Sequence, residues 1–331
     1  MKKKSSSIFC FLFPFLLIVA CTGGNGHKSV DEDYQPVAPT FNTDSAYAYV
    51  AQQCSYGPRV MNTAAHDSCG LWIAETFRRL GLDVTEQQTV MQRYDGLSLN
   101  VRNIIASYQP QHPQRILIAA HWDSRPWADN DDNTDLHHTP ISGANDGASG
   151  VAVLLELARM MQSQAPSIGV DLICFDAEDC GTPQWDDDGR SHEHTWCLGS
   201  QHWSQQHHVE GYQARYGILL DMVGGQNSHF CKEGFSMRYA PSIVDRVWNL
   251  AHRLGYGSYF SHETGGYVTD DHLSVNRSGI PCIDIIANDK ETGGFCATWH
   301  THLDDLPHID RNTLRAVGQT VAETIYTERS E

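Results

Sequence analysis

Residues 115–123 have the sequence RILIAAHWD, a short apolar run that ends abruptly in a histidine and an aspartate. Such a run is typical of a strand that is buried on both faces of a parallel sheet. Three later segments have the same apolar character: 168–175, 216–220 and 280–287. Helical spacing of apolar residues lies around and between them, at 68–80, 149–161, 241–254 and 311–327. The alternation predicts a single-domain α/β fold, a three-layer α/β/α sandwich with a central, mostly parallel mixed sheet.

Each of the four predicted strands leads into acids or histidine. The residues concerned are His121 with Asp123, the segment 176–179, Asp221, and His300 in the loop after the last strand. Ligands bind beyond the carboxyl ends of the strands in such sheets, so these side chains are expected on one rim. Solvated loop acids would explain one such strand end. Four strand ends of this kind favour a functional site, because carboxylates gathered on a rim need cationic or metal partners.

The N-terminus is typical of an exported protein. Three lysines precede the apolar segment 8–20, which is too short for a membrane-spanning helix of about 20 residues. Residues 17–21, LIVAC, resemble a bacterial lipobox, which would make Cys21 a lipidated first residue; the alternative is an ordinary signal peptide in which Cys21 is incidental. We therefore expect an exported bacterial lipoprotein, in the periplasm or anchored at the cell envelope, that contacts membrane through a lipid anchor alone. Residues 1–21 are the predicted signal, 22–43 a flexible tether, and 44–331 the catalytic domain.

Charge and composition limit the classes of molecule that the protein is expected to bind. The 331 residues include 40 acids and 23 lysines and arginines, for a formal charge of −17. An acidic body of this kind repels phosphate backbones, which argues against nucleic acid as a partner. The 18 histidines and 8 tryptophans suit metal binding and an apolar pocket instead. Eight cysteines follow Cys21 and their pairing cannot be deduced, although Cys174 and Cys282 lie in apolar runs typical of free buried thiols.

Several short motifs carry chemistry. His121 and Asp123 share one face of an extended segment, as a metal ligand and the group that orients it would. Asp146 lies in the glycine-rich turn 143–150, where it could be a ligand or a helix N-cap. Glu178 and Asp179 are adjacent acids that point in different directions, so one can bind a metal while the other moves protons. The serine-hydrolase elbow, the phosphate-binding glycine patterns and the His-Glu-x-x-His motif are all absent from the sequence.

The order of these motifs resembles the zinc aminopeptidase family with co-catalytic metals. Within it, the chain is more similar to the glutaminyl cyclases of the animal type and their bacterial relatives. The likeness covers roughly residues 45–328 and is carried by the segments 121–127, 143–150, 175–179, 220–224, 270–272 and 299–301. The tryptophan before His300 and the segment 270–272 favour the cyclase branch. Asp179 departs from the glutamate usual at that ligand position in the animal enzymes.

The resemblance implies a role for each matching residue. Asp146, Asp179 and His300 would hold one Zn²⁺. Glu178 would shuttle the proton while an N-terminal glutamine closes on its own γ-amide and expels ammonia. The remaining implied roles are hydrogen-bonding partners of that reaction for Asp221 and Asp270, and walls of the substrate pocket for Trp299 and Trp185. The partners would be peptides or proteins that begin with glutamine.

Two alternatives stay open. In a two-zinc aminopeptidase, His121 and Asp221 would complete a second metal site, and water would attack an N-terminal peptide bond with Glu178 as the base. In the cyclase, His121 and Asp123 would support the single site instead. A third possibility is a non-catalytic surface lipoprotein that binds peptides or glycans.

Overall fold

The computed structural model describes residues 34–190, 192–288 and 294–330. Its strands are β1 (Asp83–Gln92), β2 (Ser98–Tyr108), β3 (Arg115–His121), β4 (Gly169–Phe175), β5 (Gly217–Asp221), β6 (Phe230–Lys232), β7 (Phe260–Thr264) and β8 (Cys282–Ile286). Its α-helices are α1 (Thr43–Ser55), α2 (Ala64–Arg79), α3 (Ala148–Ser163), α4 (Leu198–Gln205), α5 (Gly234–Tyr239), α6 (Pro241–Arg253), α7 (Asp271–Arg277) and α8 (Arg311–Thr327). The predicted signal segment 1–21 lies outside the described residues.

The main sheet has six described strands in the order β1-β2-β4-β3-β5-β8. The β4–β3, β3–β5 and β5–β8 pairs are parallel, whereas β1–β2 and β2–β4 are antiparallel. Crossover helices therefore connect the parallel strands and bring their carboxyl ends to one edge. The prediction of a single-domain α/β fold with a mostly parallel mixed sheet is confirmed.

The two faces of the sheet pack against different helices because successive side chains of a strand point to opposite sides. Ile116, Ile118 and Ala120 of β3 belong to the larger core, which α1, α2, α3, α6 and α8 cover. Leu117 and Ala119 of the same strand join a smaller core with Trp203 of α4 and Val275 of α7. The eight cysteines from Cys54 to Cys296 are all free, and Cys174 and Cys282 are buried as predicted.

A buried ion pair fastens the edge of the sheet where the parallel strands begin. Arg115 of β3 forms a two-pronged pair with Asp171 of β4, with Nε–Oδ2 and Nη2–Oδ1 distances of 2.5 and 2.8 Å. Ser107 and Tyr212 also donate their hydroxyl protons to the Asp171 carboxylate. This carboxylate therefore has four donors and joins three segments of chain.

Residues 34–43 differ from the predicted tether. Glu323 of α8 accepts hydrogen bonds from the Tyr34 hydroxyl and from the backbone N–H groups of Val37 and Ala38. Phe41 is buried, and its N–H donates to the side chain of Gln319. The last ten residues of the predicted tether are thus part of the folded domain, because apolar residues and backbone donors there find partners on α8. Among the described residues, no helix combines the length and the apolar character that crossing a bilayer requires.

Candidate metal centre

The predicted site residues lie together at the carboxyl edge of the parallel strands. His121 ends β3, Glu178 and Asp179 follow β4, Asp221 ends β5, and Asp270 caps the N-terminus of α7. All are buried, and all except His121 line one cavity together with Asp146 and His300. Strands distant in sequence supply these groups, so the site exists only in the folded chain.

Three of these residues form a set suited to a divalent cation. Oxygens of Asp146 and Asp179 and a ring nitrogen of His300 lie within 4.8 Å of one another, and all three side chains are buried. His300 Nε2 is 3.1 Å from Asp179 Oδ1 and 3.7 Å from Asp146 Oδ2. Within the described part of the chain, neither Asp179 oxygen has a well-formed hydrogen bond. A buried carboxylate whose oxygens accept no well-formed hydrogen bond fits a cation, and two oxygens with one imidazole are ligands that zinc accepts.

The ring of His300 is fixed on its other side. His300 Nδ1 lies 3.3 Å from Asp129 Oδ1, and Asp129 is paired with the buried Arg125 at 2.6 and 3.0 Å. Trp299 stacks on the imidazole with ring centroids 3.9 Å apart. The backbone of His300 has φ 54°, a left-handed conformation that costs a non-glycine residue energy and is found at functional sites. The Nε2 atom is therefore the one directed at Asp146 and Asp179.

The loop that presents Asp146 is held by its backbone. Asp304 accepts hydrogen bonds from the N–H groups of Asn145 and Asp146 at 2.7 and 3.0 Å. Gly147 has φ +95°, and a Cβ there would lie 2.5 Å from the carbonyl oxygen of Asp123, so a side chain is excluded. Gly147, not Asp146, is the N-cap residue of α3. The predicted N-cap role of Asp146 is therefore wrong, and its carboxylate faces His121 and His300 instead.

A second set shares Asp146 with the first. His121 Nε2 lies 3.0 Å from Asp146 Oδ1 and 3.1 Å from Asp221 Oδ1. These three residues also satisfy the geometry of a cation site. The two sets differ, because a hydrogen bond joins His121 to Asp221 in this second set, whereas among the described residues neither Asp179 oxygen of the first set has one. Burial alone would lower the pKa of His121, but Asp123, Asp146 and Asp221 raise it well above its usual value.

Asp123 holds the turn that carries the acidic pair. Its Oδ1 accepts a hydrogen bond from the N–H of Glu178, and its Oδ2 accepts one from the N–H of Asp179, both at 3.1 Å. Ala177, which precedes them, has φ 52° and is in the strained left-handed region. The thiol of Cys197 lies 3.1 Å from Glu178 Oε1 and donates to it. Asp123 is therefore a positioning group and contributes no ligand atom to either described set.

Glu178 is placed to exchange protons. Burial raises the pKa of Glu178 well above its usual value, and the nearby Asp270 and Asp179 add to that effect while His121 opposes it. Burial likewise raises the pKa of Asp270 to about 7, with Asp221 contributing. A carboxylate of Glu178 and one of Asp270 lie within 4.8 Å of each other. Such neighbours hold protons that an isolated carboxylate would lose.

A cavity of about 620 Å³ opens above these groups. Trp299, Phe295 and Trp196 supply its aromatic wall, and the ring of Trp196 lies parallel to that of His300 with centroids 6.1 Å apart. Trp299 lies where the sequence predicted it. Trp185 does not: it is 40% exposed and packs on Trp127 and His138 outside the cavity.

Trp196 was missed, as were Arg125, Asp129 and Asp304, which hold the site from behind. Trp196 lies in a polar loop before α4, where periodicity carries no signal. The exception is Arg125, which stands in the motif 121–127 that the resemblance singled out, so that motif could have led to it.

The chain is similar to proteins of known family and structure. The model of peptidase family M28 matches residues 103–325. The crystal structure of a Bacteroides thetaiotaomicron glutaminyl cyclase bound to N-acetylhistamine is 55% identical with a TM-score of 0.86, covering 88% of this chain and 100% of that one. Glutaminyl-peptide cyclotransferase of Drosophila melanogaster is 25% identical over 280 residues, 77% of this chain and 73% of that protein. Aminopeptidase YwaD of Bacillus subtilis is 28% identical over 236 residues, 68% of this chain but 44% of that protein's length.

Proposed function

This chain belongs to peptidase family M28, and from that premise we propose that it is a glutaminyl-peptide cyclotransferase. It is related to bacterial glutaminyl cyclases and to the animal enzymes. The proposed reaction converts the N-terminal glutamine of a peptide or protein to pyroglutamate and releases ammonia. The observation that carries the proposal is Glu178, a buried carboxylate of raised pKa beside a three-ligand set at the base of an aromatic-walled cavity.

Asp146, Asp179 and His300 would hold one Zn²⁺, which when bound polarises the γ-carbonyl of the substrate glutamine. The Asp179 oxygens, which accept no well-formed hydrogen bond from a described residue, support a cation at this set rather than at the set around His121, where His121 and Asp221 share one. Asp129 orients His300 so that its Nε2 faces the ligand position, as partners of zinc-bound histidines do. Trp196 and Trp299 enclose the glutamine side chain and exclude water that would otherwise compete with the α-amine.

Glu178 is the proton carrier of the proposed mechanism. The α-amine forms a bond to the γ-carbon, and its proton passes to a Glu178 oxygen. The bond from the γ-carbon to the amide nitrogen then breaks, and the same proton is delivered to the leaving ammonia. Asp270, near Glu178, stabilises the protonated stage by sharing a hydrogen bond, and Asp123 keeps the Glu178 backbone in place.

One observation favours a second candidate function. His121, Asp146 and Asp221 form the second possible cation set, and together with Asp179 and His300 they would hold two ions in a two-zinc aminopeptidase. In that case Glu178 would remove a proton from water, and the N-terminal residue would be released. The similarity to an aminopeptidase of Bacillus subtilis agrees with this alternative.

Mass spectrometry of a peptide that begins with glutamine separates the candidates. Loss of ammonia from an otherwise intact peptide supports the cyclase. If a chelator abolishes this reaction and added zinc restores it, the result supports the metal. Release of free glutamine would replace the proposal with the aminopeptidase, and metal analysis should then give two zinc ions per chain. An intact peptide with zinc-loaded protein would favour the non-catalytic binding protein. Glu178→Gln is the control for a contaminating activity.

We also propose that the chain is exported as a lipoprotein through its predicted lipobox. The sequence of residues 1–21 supports this proposal. Expression of the full chain in a bacterium fed a labelled fatty acid tests it. Label should enter the wild-type chain and not a Cys21→Ala variant; equal labelling of both would refute the anchor.

A further inference from the structure

Four aromatic side chains form a surface patch beside the cavity: Tyr94, Trp127, His138 and Trp185. The rings of Tyr94 and Trp127 have centroids 5.9 Å apart, those of Trp127 and Trp185 are 5.8 Å apart, and those of His138 and Trp185 are 4.3 Å apart. Trp185 is 40% exposed although it is a large apolar residue. This aromatic patch has no role in the chemistry at Glu178.

The aromatic patch is continuous with the cavity. Trp185 lies in a short helical turn between Gln184 and Asp187, which both line the cavity. Arg125, another lining residue, has its guanidinium carbon 5.0 Å from the ring centre of Trp127 and 4.5 Å from that of Trp196. The Arg125 guanidinium thus faces both an aromatic ring of the patch and an aromatic ring of the cavity wall.

The turn that carries Trp185 is fastened to the catalytic region. The N–H of Gln184 donates to Asp129, the carboxylate that orients His300. On the outer side, the Tyr94 hydroxyl donates to Asp186 at 3.0 Å and ties the tip of the β1–β2 hairpin to the same turn. The exposed indole is therefore held in one place before any ligand arrives, which lowers the entropic cost of binding.

The cavity has room for more than one side chain. Pockets of about 300–1,000 Å³ hold ligands of drug size, and this one measures about 620 Å³. A glutamine side chain at its base leaves space for the following residue, and each further extended residue advances the chain by about 3.3–3.6 Å. The segment after the glutamine can thus leave the cavity across the turn 184–187.

We propose that the aromatic patch binds an aromatic side chain of the substrate, two to four residues after its N-terminal glutamine. This inference depends on the proposed function, which it extends to a substrate class. Aromatic rings stack against one another with additional stabilisation beyond burial, and Trp185 offers an exposed indole for that contact. Trp185 is a specificity-determining residue in this view, and substrates without a downstream aromatic residue do not use it.

Matched peptides test the inference. One peptide has glutamine followed by alanines and a lysine for solubility, and four others each carry phenylalanine at position two, three, four or five. Glutamine amide is the minimal substrate. The enzymes are the wild type, Trp185→Ala, Trp185→Phe and the control Tyr239→Ala, which removes an exposed aromatic residue of α5 outside the cavity.

The wild type should prefer at least one of the peptides with phenylalanine at positions three to five over the all-alanine peptide by about three- to tenfold in kcat/KM, mainly through KM. Trp185→Ala should abolish this preference while glutamine amide and the all-alanine peptide change less than twofold, and Trp185→Phe should restore most of it. An unchanged preference in Trp185→Ala, or an equal loss in Tyr239→Ala, would overturn the inference. If no peptide is turned over by the wild type, the proposed function fails separately. Calorimetric binding of the same peptides to the same variants then decides the role of the patch.

Discussion

Replacement of Asp123 by asparagine should destabilise the turn that carries Glu178 and Asp179. The effect should be larger than that of the same substitution on the surface. The Asp123 carboxylate accepts hydrogen bonds from two buried backbone N–H groups, those of Glu178 and Asp179. An asparagine has one acceptor oxygen, and its amide group would point donor hydrogens at the second N–H. The change removes one charge-assisted hydrogen bond, worth about 1.5–3 kcal/mol, and leaves a buried N–H unpaired at a cost of about 1–3 kcal/mol.

The expected loss in the free energy of unfolding is therefore about 2.5–6 kcal/mol. Ala177 adds to the sensitivity, since its left-handed backbone is retained only while its surroundings hold it. Movement of Glu178 by about 1 Å should lower kcat by about a hundredfold.

Urea unfolding followed by circular dichroism measures the stability, and pyroglutamate formation under folding conditions measures kcat. Asp132→Asn, at an exposed position, is the matched control and should change neither quantity. An Asp123→Asn protein with a free energy of unfolding within 1 kcal/mol and kcat within twofold of the wild type would refute this account of the turn.

Three further predictions concern single acids. Glu178→Gln should lower kcat by about 10²–10⁴-fold with zinc content and melting temperature unchanged, and a loss of zinc in this variant would instead make Glu178 a ligand. Asp179→Asn should reduce the rise in melting temperature that excess zinc gives the protein, because the variant binds the ion less tightly; an undiminished rise would contradict the ligand role. Burial alone would raise the pKa of Glu233, but His272 and the hydrogen-bond donors of Ser236 and Phe235 lower it to about 2. The ionised Glu233 therefore stabilises the fold above pH 4.5, and this stabilisation is lost as the pH falls towards 2. The Glu233→Gln protein should accordingly lose stability less steeply over that interval in acid titrations.

Much of the main sheet and its helices could be predicted from local pattern, because burial imposes a regular spacing on the chain. The predicted helix 311–327 has the observed bounds of α8, and the apolar runs became β3, β4, β5 and β8. The β1–β2 hairpin was not predicted. Most residues of β1 are exposed or half-buried and polar, so a run of apolar residues could not mark it. The last residues of the predicted tether were also misassigned, since their partners on α8 are about 280 residues away in sequence.

The site shows the same division between local and long-range information. Acids and histidines at the ends of apolar strands could be recognised because the topology sends those ends to one edge. The sequence could not indicate that Trp196 rather than Trp185 lines the cavity, since both tryptophans follow the acidic pair in polar loops. The fold alone determines which indole lies parallel to His300. Partners that act from behind, such as Asp129 and Asp304, come from loops without a pattern of their own.

The ion pair between Arg115 and Asp171 lies at the opposite end of the same strands that carry the site. Near its start, strand β4 therefore carries a carboxylate that holds neighbouring strands together, and the carboxylates of the proposed site follow its end. A protein engineer can treat these two ends as separate targets. Substitutions that strengthen the Asp171 end should lengthen the lifetime of the folded enzyme and widen its tolerance of other mutations, with selectivity and turnover left to vary at the far end.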